Sequence, residues 1–299
     1  MPNPYIPFIL PNDDLIDINK IINKLINANT KIAVYNEKLK NSKIRSELLM
    51  DLLSLKEAME STKIEGTQVT MDEMFEYKAD EKHPTNDITE VINYYTALKI
   101  GEDLLRTLPI SGRFVKKLHE ILMSGNVRGG NKSPGNFRTT QNYIGPKGCT
   151  IETASFVPPE PQLVDEYMSN LEKYINEYDD INDLIKLAII HSQFETIHPF
   201  LDGNGRIGRI LIPLYLFDKK ILRNANFFVS ESLEKDKFKY YQLLNNTRVV
   251  ITDEEDNKEQ YLKDMQTAKN NFTEWVEFFL ESCIKQCDKD LEKIDAIES

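Results

Sequence analysis

The stretch His198-Pro-Phe-Leu-Asp-Gly-Asn-Gly-Arg-Ile-Gly-Arg209 holds, within twelve consecutive positions, the groups that a nucleotide-phosphate site uses. It contains an imidazole, a carboxylate, two glycines around Asn204 and two guanidiniums. Glycine lets a backbone approach a ligand closely, and backbone amides at a helix N-terminus attract anions. The apolar residues that follow recur at helical spacing, so a helix is predicted to begin here. These residues are Ile207, Ile210, Leu211, Leu214 and Phe217.

The composition is that of an ordinary globular protein with an acidic surface. The chain has 299 residues, is 40% hydrophobic and carries a formal net charge of -11. Nucleic-acid backbones are bound chiefly through Lys and Arg, so direct nucleic-acid binding is not expected as the main activity. Three cysteines are too few for a disulfide framework. The first eleven residues lack the pattern of a secretion signal and no segment is apolar enough to span a bilayer, so we expect a cytoplasmic protein without membrane contact.

The periodicity of apolar residues predicts a mostly α-helical fold. One segment differs: residues 125–161 are dense in Gly, Pro and Asn, and segments 141–144 and 150–157 flank Gly145-Pro-Lys-Gly148, a pattern typical of a β-hairpin. Pro213 should kink its helix or be accommodated by burial. The charge-rich segment 252–260 is predicted to be a solvated loop. The predicted helices cover residues 13–65, with the second of two helices at 44–65, and then 89–105, 112–123, 162–177, 181–197, 205–219, 234–247 and 271–294.

The stretch at 198–209 resembles the active-site motif of the Fic family, His-Pro-Phe-x-Asp/Glu-Gly-Asn-Gly-Arg-x-x-Arg, at every specified position. This resemblance implies a mostly α Fic-fold helical bundle with a short β-hairpin flap, and a protein adenylyltransferase that moves AMP from ATP to a target. Its intact glycine loop separates it from related toxins that transfer a terminal phosphate. The resemblance covers roughly residues 5–285 and includes Glu90-Val-Ile-Asn93, Pro134-Gly-Asn-Phe-Arg138, Phe156-Val-Pro-Pro159 and Trp275-Val-Glu-Phe-Phe-Leu280.

Two motif side chains have an obvious chemistry. An unperturbed imidazole titrates near neutrality, so His198 is the predicted general base for a target hydroxyl. A single His is more often structural, and we read His83, His119 and His191 in that way. Asp202 supplies a hard oxygen ligand beside the phosphates and is the predicted Mg²⁺ ligand, although an Asp before Gly is usually a turn residue.

The resemblance also implies the nucleotide contacts. The loop amides would bind phosphate oxygens, Asn204 would orient the α-phosphate and Arg206 would meet the β-phosphate. Tyr240-Tyr241 is similar to the family helix that contacts adenine, although a Tyr pair is more often core packing. The predicted nucleotide-binding residues are Gly203, Asn204, Gly205, Arg206, Ile207, Gly208, Arg209 and Tyr241.

Ser61-Thr-Lys-Ile-Glu65-Gly66 resembles the family's inhibitory motif, Ser/Thr-x-x-x-Glu-Gly/Asn. The helix dipole disfavours a carboxylate at a helix C-terminus, so Glu65 should have a cationic partner. The resemblance implies that this partner is Arg209, which would then be diverted from the γ-phosphate of ATP. Ser61 would support the same helix face and Gly66 would end the helix in a left-handed conformation. The alternative is an ordinary surface carboxylate followed by a Gly cap.

We therefore expect three regions: an N-terminal helical region with the inhibitory motif at 1–85, the Fic catalytic core at 86–248, and an acidic insertion with a helix at 249–299. ATP is the expected substrate, Mg²⁺ the expected cofactor, and an unidentified protein the target, whose extended segment the hairpin at 141–157 would align. Transfer of another nucleotide, de-AMPylation at the same site and a homo-oligomer stay open. So does a nucleotide-responsive interaction module, although a pure binding protein would have little use for His198 and Asp202.

Overall fold

The computed structural model describes residues 3–42, 46–80, 84–146 and 148–298. Three positions that entered the predictions, Ile44, His83 and Lys147, lie outside these ranges. The described chain is mostly helical, as predicted. Its α-helices are α1 (Ile18–Lys40), α2 (Ser46–Ile64), α3 (Met71–Asp80), α4 (Asn86–Leu104), α5 (Gly112–Leu122), α6 (Val164–Glu177), α7 (Asp183–Ile197), α8 (Asn204–Asp218), α9 (Ser230–Lys235), α10 (Lys237–Asn246) and α11 (Lys258–Glu298).

Helix α7 is the centre of the bundle, because every residue from Leu184 to Ile197 is buried. It packs against α6, α8 and α11, and Nε1 of Trp275 on α11 donates a hydrogen bond to the Ala188 carbonyl at 2.8 Å. A helix that is buried on every side can lie only inside a larger core. The loop that joins the end of α7 to the start of α8 therefore emerges from a rigid support.

Helices α1 and α11 lie side by side and parallel, joined by a ladder of ion pairs. Lysines 24, 31 and 38 on α1 pair with acidic residues 281, 288 and 295 on α11, so both partners advance by seven residues at each step. A seven-residue repeat keeps one helix face turned toward its neighbour over several turns. Each exposed pair contributes little by itself, but together the three fix the register of the two helices.

The sequence analysis missed α3, which lies between the helices predicted at 44–65 and 89–105. Its start carries a reciprocal capping box: the Thr70 amide donates to the Glu73 carboxylate at 2.7 Å, and the Glu73 amide donates to the Thr70 hydroxyl at 3.3 Å. A Thr followed three residues later by Glu is a recognised start signal that could have located this helix.

Two helix boundaries also differ from prediction. The helix predicted at 234–247 is two helices, α9 and α10, which meet at Asp236. Helix α11 begins at Lys258 rather than residue 271, so part of the predicted solvated loop at 252–260 is helical. Its start is capped by Asn257, whose side chain accepts from the Gln260 amide at 3.1 Å. Pro213 lies inside α8 and is buried.

The predicted hairpin is not confirmed. Within the described residues of 141–157, the backbone forms one isolated antiparallel bridge rather than two strands. Ile144 and Phe156 exchange both hydrogen bonds, at 2.9 and 3.0 Å, and a 3₁₀ turn at Ile151–Thr153 follows the loop. Among the described residues, no helix has the length and apolarity needed to cross a bilayer.

Candidate active site

The loop between α7 and α8 ends in a left-handed turn. Gly203 has φ +79° and is the residue before α8, a conformation that favours glycine. The amides of Asn204, Gly205 and Arg206 belong to the first turn and have no acceptor within the helix. They point out of the N-terminus together with the positive end of the helix dipole. The structure thus places the predicted anion cradle at the start of a buried helix.

The side chain of Asn204 closes this loop. Its Oδ1 accepts from the Phe200 amide at 2.8 Å, and its Nδ2 donates to the Phe200 carbonyl at 2.9 Å. Asn204 is 2% exposed, so both side-chain groups are used within the protein. The sequence prediction that this side chain orients a phosphate therefore has a competing explanation: it shapes the loop that presents the amides.

His198 ends α7 in a left-handed conformation, with φ +50°. The Arg138 guanidinium holds it there, since Nε donates to the His198 carbonyl at 2.9 Å and Nη2 to the Ile197 carbonyl at 3.3 Å. The imidazole Nδ1 lies 3.3 Å from the Glu195 carbonyl. A carbonyl only accepts, so Nδ1 carries the hydrogen and Nε2 keeps a free lone pair.

The electrostatic surroundings of His198 favour its neutral form. Burial and, to a lesser extent, the nearby Arg248 guanidinium together lower the pKa of His198 to about 4. At neutral pH the imidazole is therefore uncharged and able to accept a proton at Nε2.

His119 supports the loop from α5. Its Nδ1 accepts from the Gly135 amide at 2.9 Å, so Nε2 carries the hydrogen and donates to the Asp202 carbonyl at 3.0 Å. The ring stacks on Phe200 with centroids 3.7 Å apart. Burial lowers the pKa of His119 to about 4, which keeps this neutral tautomer. The structural reading of His119 is compatible with these contacts, but sequence reasoning did not show that it acts on the motif itself.

Arg209 contacts Ser61 and Glu65, two residues of the stretch predicted to be inhibitory. Its Nη2 lies 2.6 Å from Glu65 Oε1 and 3.1 Å from the Ser61 carbonyl, and its Nε donates to the Ser61 hydroxyl at 2.8 Å. The Arg209 side chain is 1% exposed and that of Glu65 is 32% exposed. Burial alone would raise the pKa of Glu65, but the Arg209 guanidinium outweighs it and the pKa lies below its usual value. The two side chains form a charge-assisted contact between α2 and α8.

The carboxylate of Glu65 lies over the first turn of α8. A Cβ built on Gly205 would come within 2.6 Å of Glu65 Oε1 and 3.0 Å of Arg209 Nη1. Glycine at position 205 therefore gives the carboxylate room to lie where an anion would meet the helix N-terminus.

The end of α2 fixes the position of Glu65. The Thr67 amide donates to the Thr62 carbonyl at 3.1 Å and the Gly66 amide to the Lys63 carbonyl at 2.9 Å. Gly66 has φ +98°, in the left-handed region expected from the sequence. These two bonds define a Schellman motif, which ends the helix sharply.

A buried carboxylate holds Arg206. Glu90 Oε2 lies 3.4 Å from Nη1 of Arg206, and Glu90 is 1% exposed. Nη2 of Arg206 lies 3.4 Å from Asp202 Oδ1. Sequence reasoning missed Glu90 as a site residue, although it belongs to a segment that carries the family resemblance. Its partner Arg206 is 116 residues away, so local pattern gives no signal of the pairing.

Asp202 is the carboxylate available to a divalent cation. Its Oδ1 accepts from the Gly203 amide at 2.7 Å, its Oδ2 lies 3.1 Å from Lys132 Nζ, and its side chain is 29% exposed. Among the described residues, no group of three or more His, Cys, Asp or Glu side chains converges on one point. A Mg²⁺ ion on Asp202 would thus take its other oxygens from nucleotide phosphates and water, as Mg²⁺ commonly does.

Several buried polar atoms around the loop have no hydrogen-bond partner within the described part of the chain, and three of them lie on α7 and α8. They are Nε of Arg206, Nη1 of Arg209 and Oε1 of Glu195. Such groups are costly to bury unless something completes them. The two donors suit phosphate oxygens. The Glu195 carboxyl has its pKa raised to about 7 by burial, and it faces Gly208, where a Cβ would come within 2.4 Å of it.

The predicted adenine-binding residues differ in accessibility. Tyr241 is 43% exposed on α10, whereas Tyr240 is buried and its hydroxyl lies 2.8 Å from Nε2 of His191. Ile207 is fully buried, so only its backbone could reach a ligand. The Arg248 guanidinium lies 3.7 Å from the ring centroid of Phe156, the residue that forms the isolated bridge with Ile144.

A helical bundle in which one loop and the start of the helix after it present a neutral imidazole, a carboxylate, free amides and two arginines defines the Fic class of fold and site. Sequence models of the family match in two places: that described as Fic/DOC family over residues 109–216, and that described as Fic/DOC family N-terminal over residues 22–103. The chain belongs to the Fic/DOC family.

Named relatives are similar over part of their length. A probable protein adenylyltransferase from Aquifex aeolicus is 28% identical over 196 residues, which are 64% of this chain and 58% of that protein. Protein adenylyltransferase fic-1 of Caenorhabditis elegans is 34% identical over 92 residues, 29% of this chain and 16% of that protein. The chain thus spans less than two thirds of the length of either relative.

Solved structures share the fold. A Fic family protein from Desulfovibrio desulfuricans G20 superposes with a TM-score of 0.69 at 21% identity, over 98% of this chain and 77% of that one. Fic-1 from C. elegans superposes with a TM-score of 0.59 at 17% identity, over 92% and 74% of the two chains.

Proposed function

We propose that this chain transfers AMP from ATP to a hydroxyl side chain of a target protein, or of itself, and that Glu65 holds this activity low. The observation that carries the proposal is a set of donors without partners in the described part of the chain, all on the first two turns of α8: Nε of Arg206, Nη1 of Arg209 and the first-turn amides. A polyphosphate would satisfy all of them. The names of the relatives support adenylyl transfer as the reaction.

In the proposed reaction, the hydroxyl oxygen forms a bond to the α-phosphorus. The bond from that phosphorus to the oxygen that bridges to the β-phosphate breaks, and pyrophosphate leaves. The hydroxyl proton goes to Nε2 of His198, whose neutral state and hydrogen-bonded Nδ1 support this role. Arg206, Arg209 and the loop amides stabilise the charge on the phosphates.

A Mg²⁺ ion, held by Asp202, would supply neutralisation of phosphate charge. The Lys132 ammonium lies at the same carboxylate and would have to give up that contact or share it. Tyr241 would contact the adenine, Gly208 and the backbone of Ile207 would contact the nucleotide, and the segment at 141–157 would align the target. These roles, the three-region division of the chain and the cytoplasmic location remain predictions.

The proposed inhibition by Glu65, called the brake below, follows from competition for Arg209. While Glu65 and Ser61 bind Arg209, its guanidinium is turned away from a nucleotide γ-phosphate, and a negative charge lies over the helix N-terminus. The nucleotide would then bind in an unproductive position. Gly66 contributes by ending α2 so that Glu65 faces α8.

The deciding experiment uses ATP labelled at the α- or the γ-phosphate with the wild type, Glu65→Gly and Glu65→Gly/His198→Ala. We expect label from the α position alone, strongest in Glu65→Gly and lost without His198. Label from the γ position would show kinase chemistry instead, and label from α-labelled UTP or GTP in preference to ATP would show a different donor.

De-AMPylation is a second candidate, because the Glu65 carboxylate is 32% exposed at the site and could position water. Release of AMP from a pre-labelled target by the wild type, but not by Glu65→Gly, would support it. Absence of covalent label in every lysate and variant would favour the interaction module.

A further inference from the structure

The backbone around Gly66 is held by a second arginine, Arg128, in the loop after α5. Its Nη1 donates to the Glu65 carbonyl at 2.9 Å and its Nη2 to the Thr67 hydroxyl at 2.9 Å. One guanidinium thus contacts the residues on both sides of the glycine that ends α2. Carbonyls at a helix C-terminus lack partners within the helix, and a cation there also meets the negative end of the dipole.

Arg128 is itself anchored to the catalytic region through Glu90. Its Nη2 lies 3.1 Å from Glu90 Oε2, and its backbone amide donates to Glu90 Oε1 at 3.2 Å. The Thr67 hydroxyl donates to Glu90 Oε2 at 2.8 Å. The same carboxylate lies 3.4 Å from Nη1 of Arg206, so one buried acid joins the end of α2 to an arginine of the active-site loop.

The accessibility of these groups differs sharply. The Glu90 side chain is 1% exposed, whereas that of Arg128 is 51% exposed. A buried acid that binds two guanidiniums and a hydroxyl is a fixed anchor, because its charge would be left unpaired without the guanidiniums. When Arg128 is removed, Arg206 still pairs with Glu90. The exposed guanidinium is the removable part of the assembly.

We propose that Arg128 is a positioning residue for the brake: it fixes the backbone of Glu65–Thr67 against Glu90, so that the Glu65 carboxylate meets Arg209. This inference rests on the proposed function and adds how the inhibitory turn is held. Glu65 is then held in two places: its carboxylate binds Arg209, and its backbone carbonyl binds Arg128. Loosening the backbone of residues 65–67 weakens the contact without removing any group that touches the nucleotide.

The test is a double-mutant comparison. AMP incorporation from α-labelled ATP is measured for Arg128→Ala in the wild-type and the Glu65→Gly backgrounds, with Arg106→Ala as the control, because Arg106 is 71% exposed and lies in another surface turn. We expect Arg128→Ala to raise labelling about tenfold in the wild type, which corresponds to ~1.4 kcal/mol, and to change it less than about twofold in Glu65→Gly. Equal changes in the two backgrounds, or none in the wild type, would overturn the proposal.

A second measurement is independent of activity. Amide hydrogen exchange at Gly66 and Thr67 should be about tenfold faster in Arg128→Ala than in Arg106→Ala, since the turn opens more often. Unchanged exchange would overturn the proposal whatever the labelling shows. If Glu65→Gly is inactive but exchange is faster, the proposed function fails and the positioning role stands.

Two milder variants cover the case in which Arg128→Ala does not fold. Arg128→Lys keeps the charge but cannot reach all three acceptors. Thr67→Val keeps the side-chain shape and removes one hydroxyl that both donates to Glu90 and accepts from Arg128. Each should raise labelling by less than Arg128→Ala and speed exchange at Gly66. No effect of either on exchange would count against the proposal.

Discussion

The carboxylate of Glu65 lies 2.6 Å from the Arg209 guanidinium, although the two residues are 144 positions apart in the chain. Its Oε1 stands where an anion would approach the first turn of α8, because only the absent side chain of Gly205 leaves that space free. Charge, and not shape alone, holds the carboxylate there.

The first prediction separates the charge of Glu65 from its shape. Glu65→Gln keeps the size of the side chain and can accept one hydrogen bond from Arg209, but it loses the ionic component, so AMP labelling should rise by roughly tenfold and stay below that of Glu65→Gly. The initial rate with α-labelled ATP measures this. Glu60→Gln, on the same helix, is the control and should match the wild type. Labelling by Glu65→Gln equal to the wild type would mean that shape is sufficient.

The second prediction concerns the pH dependence of catalysis. A general base loses activity as the pH falls through its pKa, and burial lowers the pKa of His198 to about 4. The labelling rate of Glu65→Gly should therefore change little between about pH 6 and about pH 8. It should lack the inflection at about pH 6.5 that an ordinary His would give. Rates across this range, with Tm recorded at each pH, provide the test. An inflection between about pH 6 and about pH 7 would contradict the neutral-imidazole assignment.

The third prediction concerns the support of the loop by His119. His119→Ala removes the bond to the Asp202 carbonyl and the stack on Phe200, so kcat in the Glu65→Gly background should fall by roughly tenfold or more. His119→Gln, which can still donate to the carbonyl, should retain more activity. A drop in Tm without any fall in kcat would show a purely structural role.

The fourth prediction concerns the metal. Because Asp202 is the carboxylate at the loop, chelation should abolish labelling and Asp202→Asn should raise the Mg²⁺ concentration needed for half-maximal rate by roughly tenfold. A Mg²⁺ titration of both proteins in the Glu65→Gly background measures the shift. Identical titration curves would assign the ion to other oxygens.

The fifth prediction concerns stability. Glu57 on α2 is buried, accepts from the Tyr94 hydroxyl at 2.9 Å, and has its pKa raised to about 7 by burial. Between the pKa of the unfolded chain and this value, the folded protein holds a proton that the unfolded chain has released. The contribution of Glu57 to the free energy of unfolding is therefore fully present at low pH. It is lost as the pH rises through about 7, by at most ~1.4 kcal/mol per pH unit. Urea unfolding from about pH 5 to about pH 8 should show this slope reduced in Glu57→Gln and unchanged in Glu76→Gln, an exposed control.

Sequence reasoning located the loop of the candidate site because the information there is local. The glycines, the following apolar period and the imidazole of His198 are adjacent, and the left-handed Gly66 follows from the end of one helix. The features that sequence reasoning missed depend on contacts that local patterns do not reveal. They are the ion pair of Arg206 with Glu90, the hydrogen bond from His119 to the loop, and the closure of the loop by the Asn204 side chain. Helix α3 was missed for another reason: its capping box is visible in the sequence but was not used to predict a helix.

The contact between Glu65 and Arg209 joins two residues of one chain through rigid helices. The fold therefore sets the effective concentration of the Glu65 carboxylate at the Arg209 guanidinium. Dilution of the protein leaves that concentration unchanged. An inhibitor supplied by a separate partner would dissociate as the protein is diluted. Under the proposed brake, the low activity of this chain is a property of each molecule, the same at nanomolar and at micromolar concentration.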